Sequence, residues 1–489
     1  MIDLTRNEEQ LARTVKRCRE RNIVIPTFEQ LKNPELIPDQ IKEELKKIDL
    51  WAVEPQNLFR ITWKNEPQDS GGLFREIPNY MEIPQELTGI EARVIALVGK
   101  WFPTGAHKVG ATFGCLVPPL VTGQFDPTTH KAVWPSTGNY CRGGAYDATL
   151  LACESIAILP EEMSQERFDW LKTVAGEIIA TPGSESNVKE IYDKVWELRR
   201  ERDDIFVFNQ FSEFGNYLFH YDVTGAAMEE VLEKELGNDC YQGVCLTTGS
   251  AGTIACGDYM KQLYPASKIA AGEALQCPTL LLNGYGAHRI EGIGDKHVPW
   301  IHNTRNTDMV IAIDDNDSMA LMRLFNEPAG RHYLTEEIGI PGEFISQLDL
   351  LGISSIANLL MCIKFAKYYE LTSDDVILTV FTDSMEMYDS RLREARAKHG
   401  EYTRENAIRD FHLHLKGMKI DALMEMGYYD RKRIHHLKYF TWIEQQQFEL
   451  DELNRQWYDY DEYWSSIQAI TPEIDEQITK FNQAVGLLK

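Results

Sequence analysis

Between residues 92 and 385, short apolar runs alternate with glycine-rich turns and amphipathic stretches, and this alternation constrains the fold more than any other feature. The runs lie in "ARVIALVGKWF", "KAVWPSTGN", "ESIAILP", "DIFVFNQF", "GVCLTTGSAGT", "TLLLNGYG", "DMVIAIDD" and "DVILTVFTDS". Buried strands that alternate with helices predict an α/β protein built on parallel sheets. Ligands of such sheets bind beyond the carboxyl ends of the strands, so we expect the functional residues in the turns that follow these runs.

The segments on either side of this region have a different character. Residues 6–22 predict an amphipathic helix, and a polar, proline-punctuated stretch continues to about residue 90. After about residue 395 the chain is charged, aromatic-rich and helical, without a strand signal. A chain of 489 residues exceeds the size of a single hydrophobic core. We therefore predict an N-terminal extension (1–84), a smaller α/β lobe (85–220), a larger α/β lobe (221–395) and a helical C-terminal extension (396–489).

Charge and composition exclude several classes of partner. The net charge of -25 opposes binding to nucleic acid, and acids interleave the C-terminal aromatics, which weakens a base-stacking interpretation. No apolar run approaches the ~18 to 20 residues of a membrane span, and the N-terminus lacks the apolar segment of a signal peptide. The nine cysteines form no CxxC pair. We therefore expect a cytoplasmic protein with reduced thiols that acts on a small molecule.

One lysine, Lys108, lies among small residues in the turn "PTGAHKVGATFG". A lone lysine is more often a surface residue of a flexible loop. An amine with little bulk beside it is, however, also free to form a Schiff base with a carbonyl cofactor.

The turn "GSAGT", residues 249–253, stands between an apolar strand and a helical stretch. Small residues at this position let backbone N–H groups converge on an anion, and the helix dipole adds favourable charge. Close packing of strand and helix is an equally good explanation of a single such turn. If the turn is a phosphate cradle, it comprises Gly249, Ser250, Ala251, Gly252 and Thr253.

Three further turns carry hydroxyl or amide side chains at the start of helices. "PSTGNYCRGGA" places Ser136, Thr137 and Asn139 where they either cap a helix or hold a carboxylate. "LGISSIANLL" and "FTDSMEMY" place Ser354 and Ser384 in comparable turns. An amine, a phosphate cradle, a carboxylate turn and neutral hydroxyls together indicate pyridoxal phosphate, the carbonyl cofactor that also requires a phosphate site.

In order along residues 85–395, these segments resemble the fold type II pyridoxal-phosphate enzymes, the family of cysteine synthase, cystathionine β-synthase, threonine deaminase and the tryptophan synthase β-subunit. The segments "VFNQFSEFGNYLFHYDVTGAAMEEV" and "HRIEGIGDKHVPW" add to the match. The resemblance implies a two-lobed core with parallel-type sheets covered by helices, and a homodimer. Ser136 stands where tryptophan synthase β has its acid–base glutamate, which argues against indole chemistry.

The resemblance also implies roles for individual residues. Lys108 would carry the cofactor as an internal aldimine and then act as the base at Cα. The amides of 249–253 would bind the phosphate, and Asn139 would contact the ring hydroxyl. Ser354, or alternatively Ser384, would face the pyridine nitrogen, where an inward-turned Asp383 would change the electronics. The substrate carboxylate would be held by Ser136, Thr137, Gly138 and Gln210.

We accordingly predict elimination or replacement at the β-carbon of a β-substituted L-amino acid, through an aminoacrylate. A serine or threonine deaminase, or an amino-acid racemase, is the alternative on the same cofactor. A non-catalytic binding subunit is the alternative of another class. A metal site at His107, His288, His435 and His436 is not expected, because the histidine pair lacks a carboxylate or cysteine at useful spacing.

Overall fold

The structure, a computed structural model, describes residues 2–67, 72–136 and 138–488. Its strands are β1 (Tyr80–Ile83), β2 (Arg93–Val98), β3 (Lys131–Pro135), β4 (Glu154–Pro160), β5 (Glu177–Thr181), β6 (Ile205–Val207), β7 (Cys240–Thr247), β8 (Lys268–Ala274), β9 (Met309–Ile313), β10 (Asp375–Phe381) and β11 (Leu423–Glu425). They form a seven-stranded sheet in the order β1-β2-β10-β7-β8-β9-β11 and a four-stranded sheet in the order β5-β4-β3-β6.

Parallel pairing dominates both sheets, as the alternation of strands and helices predicts. Only the edge strands β1 and β11 pair antiparallel, with β2 and β9 respectively. Interior strands such as β9 are buried along their whole length, because helices cover both faces of each sheet. The predicted α/β class with parallel sheets is confirmed.

Some local predictions were wrong. The run "TLLLNGYG" is not a strand: Thr279–Leu282 forms a helical turn, because the N–H groups of Leu280 and Leu281 donate to the buried Glu273 carboxylate. The C-terminal segment, predicted to be without strands, contains β11, whose pairing with β9 extends the larger sheet. Strand β2, assigned by sequence to the smaller lobe, pairs with β10 and belongs to the larger sheet.

Helices cover the sheets and build the terminal segments. The first half of the chain contains α1 (Glu8–Glu20), α2 (Phe28–Lys32), α3 (Asp39–Leu45), α4 (Gln85–Thr88), α5 (Lys108–Thr122), α6 (Asn139–Leu150), α7 (Gln165–Val174), α8 (Val188–Glu201), α9 (Phe214–Leu218) and α10 (Gly225–Glu235). The second half contains α11 (Ala255–Leu263), α12 (Thr279–Leu282), α13 (Asp315–Asn326), α14 (Pro328–Glu336), α15 (Gly342–Ile345), α16 (Ile353–Tyr368), α17 (Asp389–His399), α18 (Arg404–Asp410), α19 (Tyr428–Lys438), α20 (Leu450–Tyr458), α21 (Tyr460–Gln468) and α22 (Thr471–Val485).

Helix α5 is almost entirely buried, and Lys108 is its first residue. Two glycines on this helix permit close packing. A Cβ at Gly110 would lie 1.9 Å from the ring of Phe219, and one at Gly114 would lie 2.3 Å from the carbonyl oxygen of Gly215. The small residues near Lys108 therefore seat α5 tightly against its neighbours as well as leaving room around the amine.

The two terminal segments bind to each other. The N–H groups of Phe28 and Glu29 donate to the Asp475 carboxylate of α22, at 2.7 and 3.0 Å. Asn482 exchanges hydrogen bonds with both backbone groups of Ile25. Because α22 also packs on α5, the ends of the chain form one layer behind the helix that carries Lys108.

The aromatic C-terminal segment holds the loop that follows α12. Lys438 is fully buried, and its ammonium group donates to the carbonyl oxygens of Trp300 and His302 at 2.8 and 2.7 Å. The indole N–H of Trp442 donates to the carbonyl oxygen of Val298 at 2.9 Å. The segment is thus a helical layer packed on the core.

Among the described helices, no single one is both long and apolar enough to cross a membrane. One pair, Gly342–Leu350 and Ile353–Tyr368, reaches the length and composition only when its two members are taken together, across a bend of 118°.

Candidate active site

A cavity lies where the carboxyl ends of the two sheets meet. Five of the turns that line it follow parallel strands: β2, β7 and β10 of the larger sheet, and β3 and β6 of the smaller one. The arrangement places a ligand at the strand ends, as expected for parallel sheets. The lining residues are His107, Lys108, Ser136, Asn139, Tyr140, Gln210, Thr247, Gly249, Ser250, Ala251, Thr253, Gly292, Asp295, Ser354 and Thr382.

Lys108 lies at the cavity wall, and its amine donates to the hydroxyl of Ser250 at 2.9 Å. Burial lowers the pKa of this amine from 10.5 to about 8, although the nearby Asp295 carboxylate acts in the opposite direction. A position at the start of a helix also disfavours positive charge. At neutral pH a useful fraction of the amine is therefore unprotonated and nucleophilic.

The glycine loop faces this amine. The Ser250 hydroxyl also accepts a hydrogen bond from the side-chain amide of Asn216 at 2.9 Å. Ala251 has a positive φ of 62°, so the loop bends sharply before α11 begins at Ala255. Of the five predicted cradle residues, all but Gly252 line the cavity.

The predicted substrate turn lies on the opposite side, after β3. Ser136 and Gln210 both line the cavity, and the Gln210 amide donates to the Ser136 hydroxyl at 3.4 Å. The N–H of Gly138 donates to the same hydroxyl at 3.1 Å. Thr137, also predicted to bind the substrate, lies outside the described residues.

The Asn139 side chain is oriented by an acid that the sequence analysis named only in passing. Its amide donates to the Asp383 carboxylate at 2.6 Å, and its own carbonyl oxygen is buried without a partner in the described chain. Asp383 is fully buried and also accepts from the Tyr388 hydroxyl at 2.7 Å. Burial raises the pKa of Asp383, while the charge of Arg167 lowers it.

The structure distinguishes the positions of the two candidate hydroxyls for the pyridine nitrogen. Ser354 lines the cavity and shares a hydrogen bond of 2.7 Å with Thr382, a lining residue that the sequence analysis missed. The Ser384 hydroxyl is buried and lacks a partner among the residues the structure describes, and it does not line the cavity. Their roles stay predictions.

His107 is held by neighbours on both sides of its ring. Its Nε2 lies 3.1 Å from the Thr253 hydroxyl, and its Nδ1 lies 3.4 Å from the Thr382 carbonyl oxygen. Burial, together with the charge of Lys108, lowers the pKa of His107 to about 3, so this ring is neutral. Within residues 2–67, 72–136 and 138–488, no group of three or more His, Cys, Asp or Glu side chains is arranged to hold a metal.

Asp295 is a second lining residue that the sequence analysis missed. It follows Gly294 in the segment "HRIEGIGDKHVPW". Burial raises the pKa of its carboxyl from 3.8 to about 7, and the charge of Lys108 lowers it. The sequence feature that could have indicated Asp295 as a site residue is its position directly after the loop glycines Gly292 and Gly294.

Comparisons with known proteins agree with this geometry. The family described as "Pyridoxal-phosphate dependent enzyme" matches residues 103–332. Cysteine synthase of Staphylococcus aureus is 30% identical over 257 residues, which cover 52% of this chain and 74% of that protein. The chain belongs to the family of pyridoxal-phosphate-dependent enzymes. Cystathionine β-synthase of Saccharomyces cerevisiae is 25% identical over 316 residues, covering 63% of this chain and 59% of that protein.

A solved structure shows the same fold. A hydrogen sulfide-producing enzyme of Fusobacterium nucleatum superposes with a TM-score of 0.54 and 23% identity, covering 64% of this chain and 96% of that one. The predicted fold type II architecture and the predicted cofactor are therefore confirmed, and the chain is an enzyme that uses pyridoxal phosphate.

The residues of this pyridoxal-phosphate enzyme fit the cofactor. The amine has a lowered pKa, and a Cβ at Gly249 would lie 3.1 Å from the carbonyl oxygen of Gly292, so the loop wall leaves little room for a side chain. Asn139 and Asp295 each keep a buried oxygen without a partner in the part of the chain that the structure describes. Buried polar atoms are normally paired, so these atoms indicate a polar ligand.

We predict that Gly252→Ala weakens cofactor binding. The new Cβ would lie 2.1 Å from the carbonyl oxygen of the Asn216 side chain, which must move and release the Ser250 hydroxyl that receives the Lys108 amine. Fluorescence titration of the cofactor-free protein should show a dissociation constant raised by at least about tenfold, which corresponds to about 1.4 kcal/mol. Gly342→Ala, which meets nothing within 4 Å, is the matched control. Equal affinity in both variants would contradict the prediction.

Proposed function

We propose that this enzyme catalyses elimination or replacement at the β-carbon of a β-substituted L-amino acid, such as serine, cysteine or an O-acylated serine. The observation that carries the proposal is the buried Lys108 amine, whose pKa is lowered to about 8, at a cavity also lined by Ser136 and Gln210. The relatives named cysteine synthase and cystathionine β-synthase support the same reaction class.

Bound pyridoxal phosphate supplies an electron sink for the bond that breaks at Cα. Lys108 would hold the cofactor covalently and would take the proton from Cα of the bound amino acid. A partly unprotonated amine at neutral pH suits both tasks. Ser250, which accepts its hydrogen bond at 2.9 Å, keeps the amine directed at the loop side of the cavity.

The phosphate is assigned to the amides of residues 249–253. These amides precede α11, and the positive end of that helix dipole favours an anion. The neutral His107 ring holds the Thr253 hydroxyl at 3.1 Å and so supports the end of the loop.

The substrate carboxylate is assigned to the turn after β3, with Ser136, Thr137, Gly138 and Gln210 as its partners. The hydrogen bonds of Gly138 and Gln210 to the Ser136 hydroxyl preorganise this turn. Binding of the carboxylate here fixes which bond at Cα is aligned with the cofactor ring.

Asn139 is assigned to the ring hydroxyl of the cofactor and Ser354 to the pyridine nitrogen, with Ser384 as the alternative. The position of Ser354 at the cavity wall supports this order. A neutral hydroxyl leaves the ring nitrogen largely unprotonated, which moderates the electron sink and favours rapid loss of a β-substituent.

A spectrophotometric screen tests the proposal. O-acetyl-L-serine, L-serine and L-cysteine should each change the absorption of the cofactor-loaded protein, and a thiol should then restore it with formation of the replaced amino acid. L-alanine, which has no β-leaving group, is the control and should release no product. If only L-serine and L-threonine react and both yield ammonia and a keto acid, the deaminase alternative replaces this proposal. If no amino acid changes the spectrum, the enzyme acts on another class of substrate.

We further propose a cytoplasmic homodimer. All nine cysteines are free thiols, which suits a reducing compartment. The dimer follows from the family resemblance. Light scattering of the purified protein should give twice the chain mass of 56.1 kDa, and a mass of one chain would contradict the dimer.

A further inference from the structure

Asp295 is the single acid among the described residues that line the cavity. Its side chain is 6% exposed, and its Oδ2 atom is buried without a hydrogen-bond partner anywhere in the described chain. A buried carboxylate that only supports structure is normally paired. Asp383, at the back of the site, differs in that its Oδ2 accepts from Asn139 and Tyr388, although its Oδ1 is also buried without a partner in the described chain.

The backbone, and not a partner of the carboxylate, holds Asp295 in place. The N–H of Gly294 donates to the carbonyl oxygen of Thr248 at 2.7 Å, and the Thr279 hydroxyl donates to the carbonyl oxygen of Asp295 at 2.8 Å. His288 lies 2.8 Å from the carbonyl oxygen of Gly294. The carboxylate is thus presented to the cavity by a rigid loop while its own oxygen stays available, as preorganised catalytic groups require.

Other titratable groups of the cavity are unsuited to proton transfer near neutral pH. His107 is neutral, with a pKa lowered to about 3 by burial. Burial raises the pKa of Tyr140 well above its usual value, so its hydroxyl stays protonated. Lys108 and Asp295 remain, with pKa values of about 8 and about 7, and the charge of each favours the charged form of the other.

We propose that Asp295 is a second catalytic acid–base group, which exchanges protons with the groups that leave and join the β-carbon while Lys108 exchanges the proton on Cα. This inference rests on the proposed function. The protonated Asp295 gives its proton to the leaving group as the bond from Cβ to that group breaks. The resulting carboxylate then takes the proton of the incoming nucleophile as the new bond to Cβ forms. Lys108 returns its proton to Cα, so all protons balance over one turnover.

The leaving group supplies the sharpest test. Acetate leaves as a stable anion, whereas the hydroxyl of L-serine and the thiol of L-cysteine leave readily only with a proton. In Asp295→Asn, elimination from L-serine and L-cysteine should therefore slow by about 100-fold or more, while elimination from O-acetyl-L-serine stays close to the wild-type rate. Stopped-flow absorbance without added nucleophile measures all three reactions.

Matched variants separate acid–base catalysis from a structural effect. Asp295→Glu keeps the acid and should restore part of the L-serine rate. Lys296→Gln removes an exposed neighbouring charge and should leave the ratio between substrates unchanged. The competing explanation is that Asp295 only shapes the glycine loop, since a Cβ at Gly249 would lie 3.7 Å from its Oδ2. In that case Asp295→Asn would lower the elimination rates of all three substrates equally and would change the affinity for the cofactor, which would overturn the proposal. Elimination rates that are unchanged for all three substrates would also overturn it.

A second measurement uses the cofactor-free protein. A carboxyl whose pKa rises on folding, here from 3.8 to about 7, favours the folded state at low pH and loses that contribution as pH rises through 7. Between pH 5 and 8 the urea midpoint of the wild type should therefore fall further than that of Asp295→Asn. Urea midpoints that fall by the same amount in the wild type and in Asp295→Asn would show that Asp295 does not titrate in the cavity, and would overturn the proposal.

The elimination experiment distinguishes failure of this inference from failure of the proposed function. If the wild type eliminates from none of the three amino acids, the proposed function fails and this inference fails with it. If the wild type reacts but Asp295→Asn does not discriminate between the substrates, only this inference is overturned.

Discussion

Lys108→Ala is expected to abolish covalent attachment of the cofactor and to lower kcat by about 10⁴-fold, the upper end of the range for loss of a general base. The variant loses both the nucleophile that holds the cofactor and the group that moves the Cα proton. Borohydride reduction followed by mass spectrometry should locate the cofactor on the peptide that contains Lys108 in the wild type and on no peptide in the variant.

The control for this experiment is Lys100→Ala. Lys100 lies on the same segment, outside the cavity lining, with its amine 3.6 Å from the Asp349 carboxylate. This variant should keep a borohydride-reducible cofactor and most of the activity. A reducible cofactor retained by Lys108→Ala would show that another amine carries it, and the assignment of the whole site would then be wrong.

Arg167→Met is expected to cost about 3 to 5 kcal/mol of folding free energy, the range for breaking a buried ion pair by removing one partner. Arg167 is fully buried, pairs with the Glu291 carboxylate and donates to the Tyr388 hydroxyl at 2.9 Å. Its charge also lowers the pKa of Asp383. The substitution removes the cation near the buried Asp383 carboxylate and leaves Glu291 paired with Arg391 alone among the described residues. Urea unfolding measures the loss.

The pH dependence of this loss of stability follows from the direction in which the pKa of Asp383 changes. Burial already raises the pKa of Asp383, and removal of Arg167 raises it further, so the variant loses more stability as pH rises. The stability that Arg167→Met loses relative to the wild type should thus be larger at pH 8 than at pH 5. Arg404→Met breaks the exposed pair with Glu337 and should cost far less stability, because solvent screens this pair. Equal losses in the two variants would contradict the buried-pair explanation.

The same network connects stability to the site. A Cβ at Gly138 would lie 2.9 Å from the guanidinium carbon of Arg167, so this guanidinium supports the turn predicted to bind the substrate. Asp383 in turn orients Asn139. None of these contacts has a sequence signal, because Arg167, Glu291 and Asp383 are separated by more than 90 residues from one another.

Strand positions and the turns after them were well predicted, because apolar runs and small residues report local burial and backbone geometry directly. Strands β2, β3, β4, β6, β9 and β10 lie within predicted runs, and β7 overlaps one. The prediction missed β5, a partly exposed edge strand, and β8, whose alanines and glycine carry a weak strand signal. It placed a strand at residues 279–282, where the buried Glu273 carboxylate caps a helical turn instead.

By itself, the sequence determined the parallel α/β class, the cofactor and the placement of Lys108, Ser136, Gln210 and the glycine loop in turns after strands, because hydrophobic period and turn chemistry are local properties. Only the tertiary structure decided that Asp295 faces the same cavity as Lys108, that Ser354 lies at its wall, and that the two terminal segments join behind α5. These features depend on which distant segments meet and on how deeply each charge is buried. Contact and desolvation arise from packing, which no local pattern encodes.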